Sequence, residues 1–260
     1  MAYVEHERSG AVATLWLNRP EARNALSFDV CDALTVTLEE IARDAEARVL
    51  VIRGRGPVFC SGADFAAVSG AGGLEFLPAF ERMLEALARH RLPTVAAIHG
   101  AALGGGFQLA SVCDFRIATT KAKIGIPSSK LGILVNFENV QRLVLLAGIA
   151  VAKEVLMTGR TYTGEDAVSA GLVGRVVPDE ELDASLSDLA QEIAGRAPLS
   201  VQGTKRSIQA VVDHLSGVHL TNPDAVSEIE RLVANAYNSR DLQEGLKAMS
   251  EKREPDFEGI

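Results

Sequence analysis

The chain has 260 residues, 47% of them hydrophobic and 23% charged, enough to bury the core of one large domain or of a domain with an appendage. With 26 Lys and Arg against 34 Asp and Glu, the net charge of -8 argues against a general nucleic-acid binder, although a local basic patch could still hold a small anion. Apolar runs are broken by charge or glycine short of the roughly 18 residues a membrane span needs, so no membrane partner is expected. The first ten residues carry no secretory signal pattern, so the expected location is the cytoplasm.

In chain order, residues 11–17 (AVATLWL) read as a strand, followed by NRPEARNAL, in which proline and two asparagines break the strand and leave Arg19 and Arg23 on a loop. Ser27 can cap a helix whose apolar positions Val30, Leu34, Leu38 and Ile41 recur at helical spacing. Residues 48–52 (RVLVI) read as a buried strand, and GRGPVFCSGADF as a glycine-bearing turn with Ala63 and Asp64 at the start of a helix. Residues 69–73 (SGAGG) read as mobile, and a helix is expected over 74–90.

The most informative stretch is TVAAIHGAALGGGFQLASVCD, residues 94–114. It reads as a strand over 94–98, a triple glycine at Gly104, Gly105 and Gly106, and then a helix. Glycine lets the backbone approach a ligand, and the first amides of a helix lack intrahelical acceptors, so an anion or a polarised carbonyl oxygen is the natural guest. A tight turn packing strand against helix is the plainer alternative.

Beyond it, DFRIA reads as a strand and residues 123–133 (KIGIPSSKLGI) as loop. Asn136 can cap a helix carrying Val140, Leu143, Val144 and Ala147, with short helices after Ile149 and over 164–170, the latter closed by Gly171. From Pro178 onward the chain reads as helical, in segments separated by Pro198, Gly217 and Pro223. Strands alternate with helices in the first part and the last third is helix only, which predicts an α/β body over 1–197 and a helical C-terminal region over 198–260. Cys31, Cys60 and Cys113 are odd in number, far apart and set in apolar sequence, so buried free thiols are expected rather than disulfides or a metal site.

NRPEARNAL, FCSGAD, HGAALGGGFQLASVCD, LGI followed by QRL, LMTGRTYTGEDAVSAGLV and EGLKAMSEKREPDF together, in this order, resemble the crotonase, or enoyl-CoA hydratase/isomerase, family. The resemblance implies a crotonase-like spiral of ββα units, a helical C-terminal trimerisation region giving homotrimers or homohexamers, and an acyl-CoA thioester as ligand. No cofactor is implied beyond the coenzyme A of the substrate, and no metal. It places the two oxyanion-hole donors on the backbone of Ala63 and Gly105, and substrate contacts on Arg23, Ala25, Ala63, Asp64, Phe65, Gly104 and Gly105; Arg19 resembles a second position that grips the nucleotide end. Two such amides stabilise a thioester enolate by about 3 kcal/mol each.

The proton chemistry departs from the family pattern. Typical hydratases share acid and base work between two glutamates, and those positions carry Gln108 and Ser128 here. Neither an amide nor an unactivated hydroxyl titrates near neutral pH, so two-glutamate hydration is not expected. The first replacement candidate is Glu138, near the loop position from which other members supply a carboxylate; the matching position itself is Asn136. A solvated acid in the first turn after an Asn136 cap is its plain alternative. His99, Asp64 and Asp114 fit structural hydrogen bonding, Cys60 lacks a paired base in the sequence, and His214 and His219 fit surface or interface roles. The expected function is therefore acyl-CoA binding with enolate stabilisation, of isomerase type or another nonstandard chemistry; the alternative is an acyl-CoA-binding protein without turnover.

Overall fold

Alternating burial along VATLWL, with Ala13, Leu15 and Leu17 inside, marks a strand with one face on a core. In the computed structural model it is β2 (Val12–Leu17), paired antiparallel with β1 (Val4–Ser9). The structure describes residues 2–65, 72–219, 234, 238–253 and 255. After β2 come α1 (Phe28–Arg43), β3 (Val49–Gly54), α2 (Gly72–Ala88), β4 (Thr94–Ile98), β5 (Ala101–Leu103), α3 (Gly105–Ser111), β6 (Phe115–Thr119) and β7 (Lys123–Gly125). Then follow α4 (Phe137–Thr158), β8 (Thr161–Tyr162), α5 (Gly164–Ser169), β9 (Arg175–Val177), α6 (Leu182–Ala194), α7 (Pro198–His219) and α8 (Arg240–Glu251).

One sheet has the order β1-β2-β3-β4-β6-β9, parallel from β2 onward, and a second has the order β5-β7-β8. β3 and β4 are almost wholly buried, as expected of parallel strands covered on both faces. On one face Val49, Val51, Val95, Ala97 and Ile117 pack against Leu182, Leu186 and Ala190 of α6. The described chain gathers into two compact units, one of residues 1–124 and 162–210, the other of 125–161 and 211–260. No described helix is long and apolar enough to cross a membrane.

The helix caps follow the sequence. Ser27 accepts from the Val30 amide at 3.4 Å, and Val30, Leu34, Leu38 and Ile41 are the buried stripe of α1. Asn136 accepts from the Asn139 amide at 3.3 Å and opens α4. Gly148 (φ 79°, ψ 165°) breaks α4 into the two helices expected before and after Ile149.

Four expectations change. β1 is missed because five of its six residues are exposed, leaving no apolar alternation to read. The expected loop over 123–133 holds β7 and a 3₁₀ turn, Ser128–Leu131; both elements are shorter than any periodic signal. β8 and β9 are equally short and lie in the gaps on either side of the helix expected over 164–170, β9 completing the parallel sheet beside β6. Gly217 lies inside α7 and does not separate helices, since a lone helical glycine costs only about 1 kcal/mol. Of the segment expected to be mobile, Gly72 and Gly73 open α2 and residues 69–71 lie outside the described residues, as does Pro223.

Candidate active site

The geometry is built by two parallel bridges between loops that leave the ends of parallel strands. Leu26 donates its amide to Gly62 O at 2.8 Å, and its carbonyl accepts from the Asp64 amide at 2.8 Å. Bonding through the neighbours on either side turns the Ala63 amide the other way, as the alternation of an extended chain requires. Cys60 pairs with Ala102 in the same manner, through Cys60 N to Ala101 O at 3.0 Å and Leu103 N to Cys60 O at 3.1 Å, and the chain then reaches Gly105 at the start of α3. Among the described residues neither the Ala63 N–H nor the Gly105 N–H meets an acceptor.

Two glycines allow this approach. Gly62 holds φ at +109°, and a Cβ there would lie 2.8 Å from Leu103 O and 3.5 Å from the Gly105 nitrogen. A Cβ on Gly106 would lie 2.4 Å from Cys60 O. Ala63, Gly104 and Gly105 are half-buried, and Phe80 and Leu26 stand 3.4 Å and 3.5 Å from where a Gly105 Cβ would be. Phe80 stacks on Phe76 with ring centroids 5.4 Å apart, so the two amides have an apolar neighbourhood.

The NRPEARNAL loop is held by Asn24, which the sequence had offered only as a strand breaker. It is 2% exposed, with φ at +55°, and donates to the carbonyls of Arg55, Val58 and Phe59 while accepting from the Arg19 amide. An asparagine beside a proline turn is a known signal for such left-handed staples. Arg19 turns inward: its guanidinium meets Asp64 Oδ2 at 3.0 and 3.1 Å and Ala25 O at 2.9 Å. Arg23 is exposed, and its carbonyl accepts from the Ser61 amide at 3.1 Å. Ala25 is buried and Phe65 half-buried.

Gln108 sits one turn beyond Gly105 in α3, 8% exposed, and among the described residues its side-chain amide has no hydrogen-bond partner. Ser128, 9% exposed, begins the 3₁₀ turn of the second unit. Glu138 is exposed in the first turn of α4, where a carboxylate suits the helix end.

The other candidates have structural places. His99 lies 2.9 Å from Gly56 O through Nε2. Asp114 accepts from the Thr94 amide and hydroxyl at 2.7 and 2.9 Å and from Lys205 Nζ at 2.7 Å. All three cysteines are free and buried, and burial is the main cause that pushes each thiol up to about 12, which removes them as nucleophiles at neutral pH. The backbone of His214 and His219 lies in α7. Two clefts of about 530 and 390 Å³ open elsewhere on the first unit, and none of Ala63, Gly105 and Gln108 lines either.

Residues 7–260 match the enoyl-CoA hydratase/isomerase family. An enoyl-CoA isomerase/hydratase of Mycosarcoma maydis, fer4, is 37% identical over all of this chain and 98% of its own length. A probable enoyl-CoA hydratase of Mycobacterium tuberculosis, echA8, is 34% identical over 96% of each chain. The solved structure of a methylmalonyl-CoA decarboxylase bound to 2-nitronate-propionyl-CoA superposes with a TM-score of 0.90 at 27% identity, covering 99% of each chain. The chain belongs to the enoyl-CoA hydratase/isomerase family and has the crotonase fold.

Proposed function

We propose that this protein binds an acyl-CoA thioester, polarises its carbonyl between the Ala63 and Gly105 amides, and carries the resulting enolate through a reaction other than two-glutamate hydration. The observation that carries this is the pair of bridges that leaves those two N–H groups, among the described residues, without acceptors beside one another's loops. Preorganised donors of this kind act on charge that develops in the transition state and need no reorganisation when it forms. In this reading Arg23, Ala25, Asp64, Phe65 and Gly104 serve as substrate contacts, and the exposure of Arg23 suits a cation for the nucleotide end.

An isomerase moves one proton between two carbons of one substrate, so one carboxylate suffices, and Glu138 is our candidate. Gln108 and Ser128 would then orient the acyl group by hydrogen bonds. A second reading is favoured by the exposure of Glu138 and by the likeness to methylmalonyl-CoA decarboxylase. Breaking the bond between Cα and a carboxylate releases carbon dioxide and leaves its electron pair as the enolate, so no base is required; Cα then takes a proton from water.

One panel separates these outcomes. Purified protein is incubated with 2-enoyl-, 3-enoyl- and methylmalonyl-CoA, and double-bond migration, hydration and carbon dioxide release are followed alongside binding. Isomerisation lost in Glu138→Gln with binding kept supports the first reading; carbon dioxide release that survives Glu138→Gln supports the second. Binding without turnover supports a non-catalytic acyl-CoA carrier, and failure to bind any thioester overturns all three. We also propose a cytoplasmic homotrimer or homohexamer, which sedimentation and cell fractionation test.

A further inference from the structure

The face of the large sheet that carries the α6 core changes character along its strands. Val51 and Ile117 pack under α6, whereas two residues on in each strand, on the same face, stand Arg53 and Thr119. Among the described residues, each has a buried polar atom with no hydrogen-bond partner: Arg53 Nε and Thr119 Oγ1. Thr119 is 1% exposed. Buried polar groups are almost always satisfied, so two in one wall point to a guest with acceptor atoms. Both residues line the cleft of about 390 Å³.

That cleft shares Trp16, Arg53 and Asp183 with the cleft of about 530 Å³, whose floor includes Val12, Val51, Leu186 and Ala190. A donor-bearing end thus runs into an apolar trough. Asp183 takes Arg53 Nη2 at 2.6 Å and leaves Nε. Asp183 and Glu5 pair with the guanidiniums of Arg53 and Arg55, and Asp179 also lines the polar cleft, which disfavours a doubly charged phosphate.

We propose that the joined clefts bind an aliphatic monocarboxylate, its head on Arg53 Nε and Thr119 Oγ1 and its tail along Val12 and Ala194, the partly buried margin of the core. None of Arg23, Ala63, Gly105 and Gln108 lines these clefts, so the proposal is independent of the reading given above.

Trp16 lines both clefts and is the single tryptophan of the chain, so its fluorescence reports the event directly. The full chain is titrated with octanoate, octanol and inorganic phosphate at matched ionic strength. Octanoate is expected to give a saturable change that weakens roughly tenfold in Thr119→Val and in Arg53→Lys, which keeps the charge but loses the Nε donor. Thr119→Val is nearly isosteric and, by removing an unpartnered hydroxyl, is expected to melt no lower than wild type without ligand. No saturable signal, octanol binding as tightly as octanoate, a response to phosphate alone, or an undiminished octanoate response in both variants would each overturn the proposal.

Discussion

Asn24 and Gly106 set the candidate site while touching no reacting atom. Asn24→Ala removes donors to three carbonyls and strains a backbone at φ +55°, so a loss of roughly 2–4 kcal/mol is expected from denaturant midpoints. Asn24→Gly relieves the strain but not the lost bonds, and should recover only part of that. Gly106→Ala puts a methyl 2.4 Å from Cys60 O and 2.8 Å from Cys60 Cβ, prying apart the loops that carry the two amides. Acyl-CoA binding should weaken at least tenfold, measured by calorimetry, whichever reaction follows. Neither residue's task could be read from its type. Gly106 stood in a legible glycine run, but that its missing Cβ makes room for Cys60 depends on a strand pairing 46 residues of chain away, and Asn24 read as a turn former because its carbonyl partners lie in a distant loop.

At the scale of elements, local signals were legible and pairings were not. Ser27 and Asn136 announced their helices because capping is written within three residues, whereas EHER in β1 shows only charge, since an edge strand needs no buried face. The attachment of α7 was equally hidden: Lys205 reaches Asp114 at 2.7 Å and Leu92 O at 2.9 Å, across 91 and 113 residues of sequence. Lys205→Met should leave Asp114 bonded to Thr94 and loosen α7 locally. Hydrogen exchange in α7 is expected to quicken about tenfold while β4 keeps its protection; equal acceleration in both would show that the tether acts on the whole unit.

For the molecule as a whole, acid stability should follow His90. Burial, aided by the charge of Lys205, lowers its pKa from 6.5 to about 4, and its ring meets Leu38 O and the Leu92 amide as a neutral group. The unfolded chain binds the proton first, so stability is full above pH 6.5 and falls between pH 6.5 and 4, by about 3 kcal/mol at most. Urea unfolding across that window should show the slope, and His90→Gln should flatten it even if it lowers stability throughout. The family and its fold were legible because six motifs recur in order. The arrangement of the sheet around them was not, because parallel neighbours such as β6 and β9 are joined by no local signal.

The three buried thiols give this chain an internal clock. Cys31, Cys60 and Cys113 all belong to the unit of residues 1–124 and 162–210, and the other unit has none. A thiol reagent in native buffer can therefore react only when the first unit opens, and the three should be labelled in one cooperative phase if it opens as a whole, or in separate phases if it comes apart strand by strand. Ligands that hold the Ala63 and Gly105 loops together should slow Cys60 most, turning an alkylation rate into a binding measurement that requires no knowledge of the reaction.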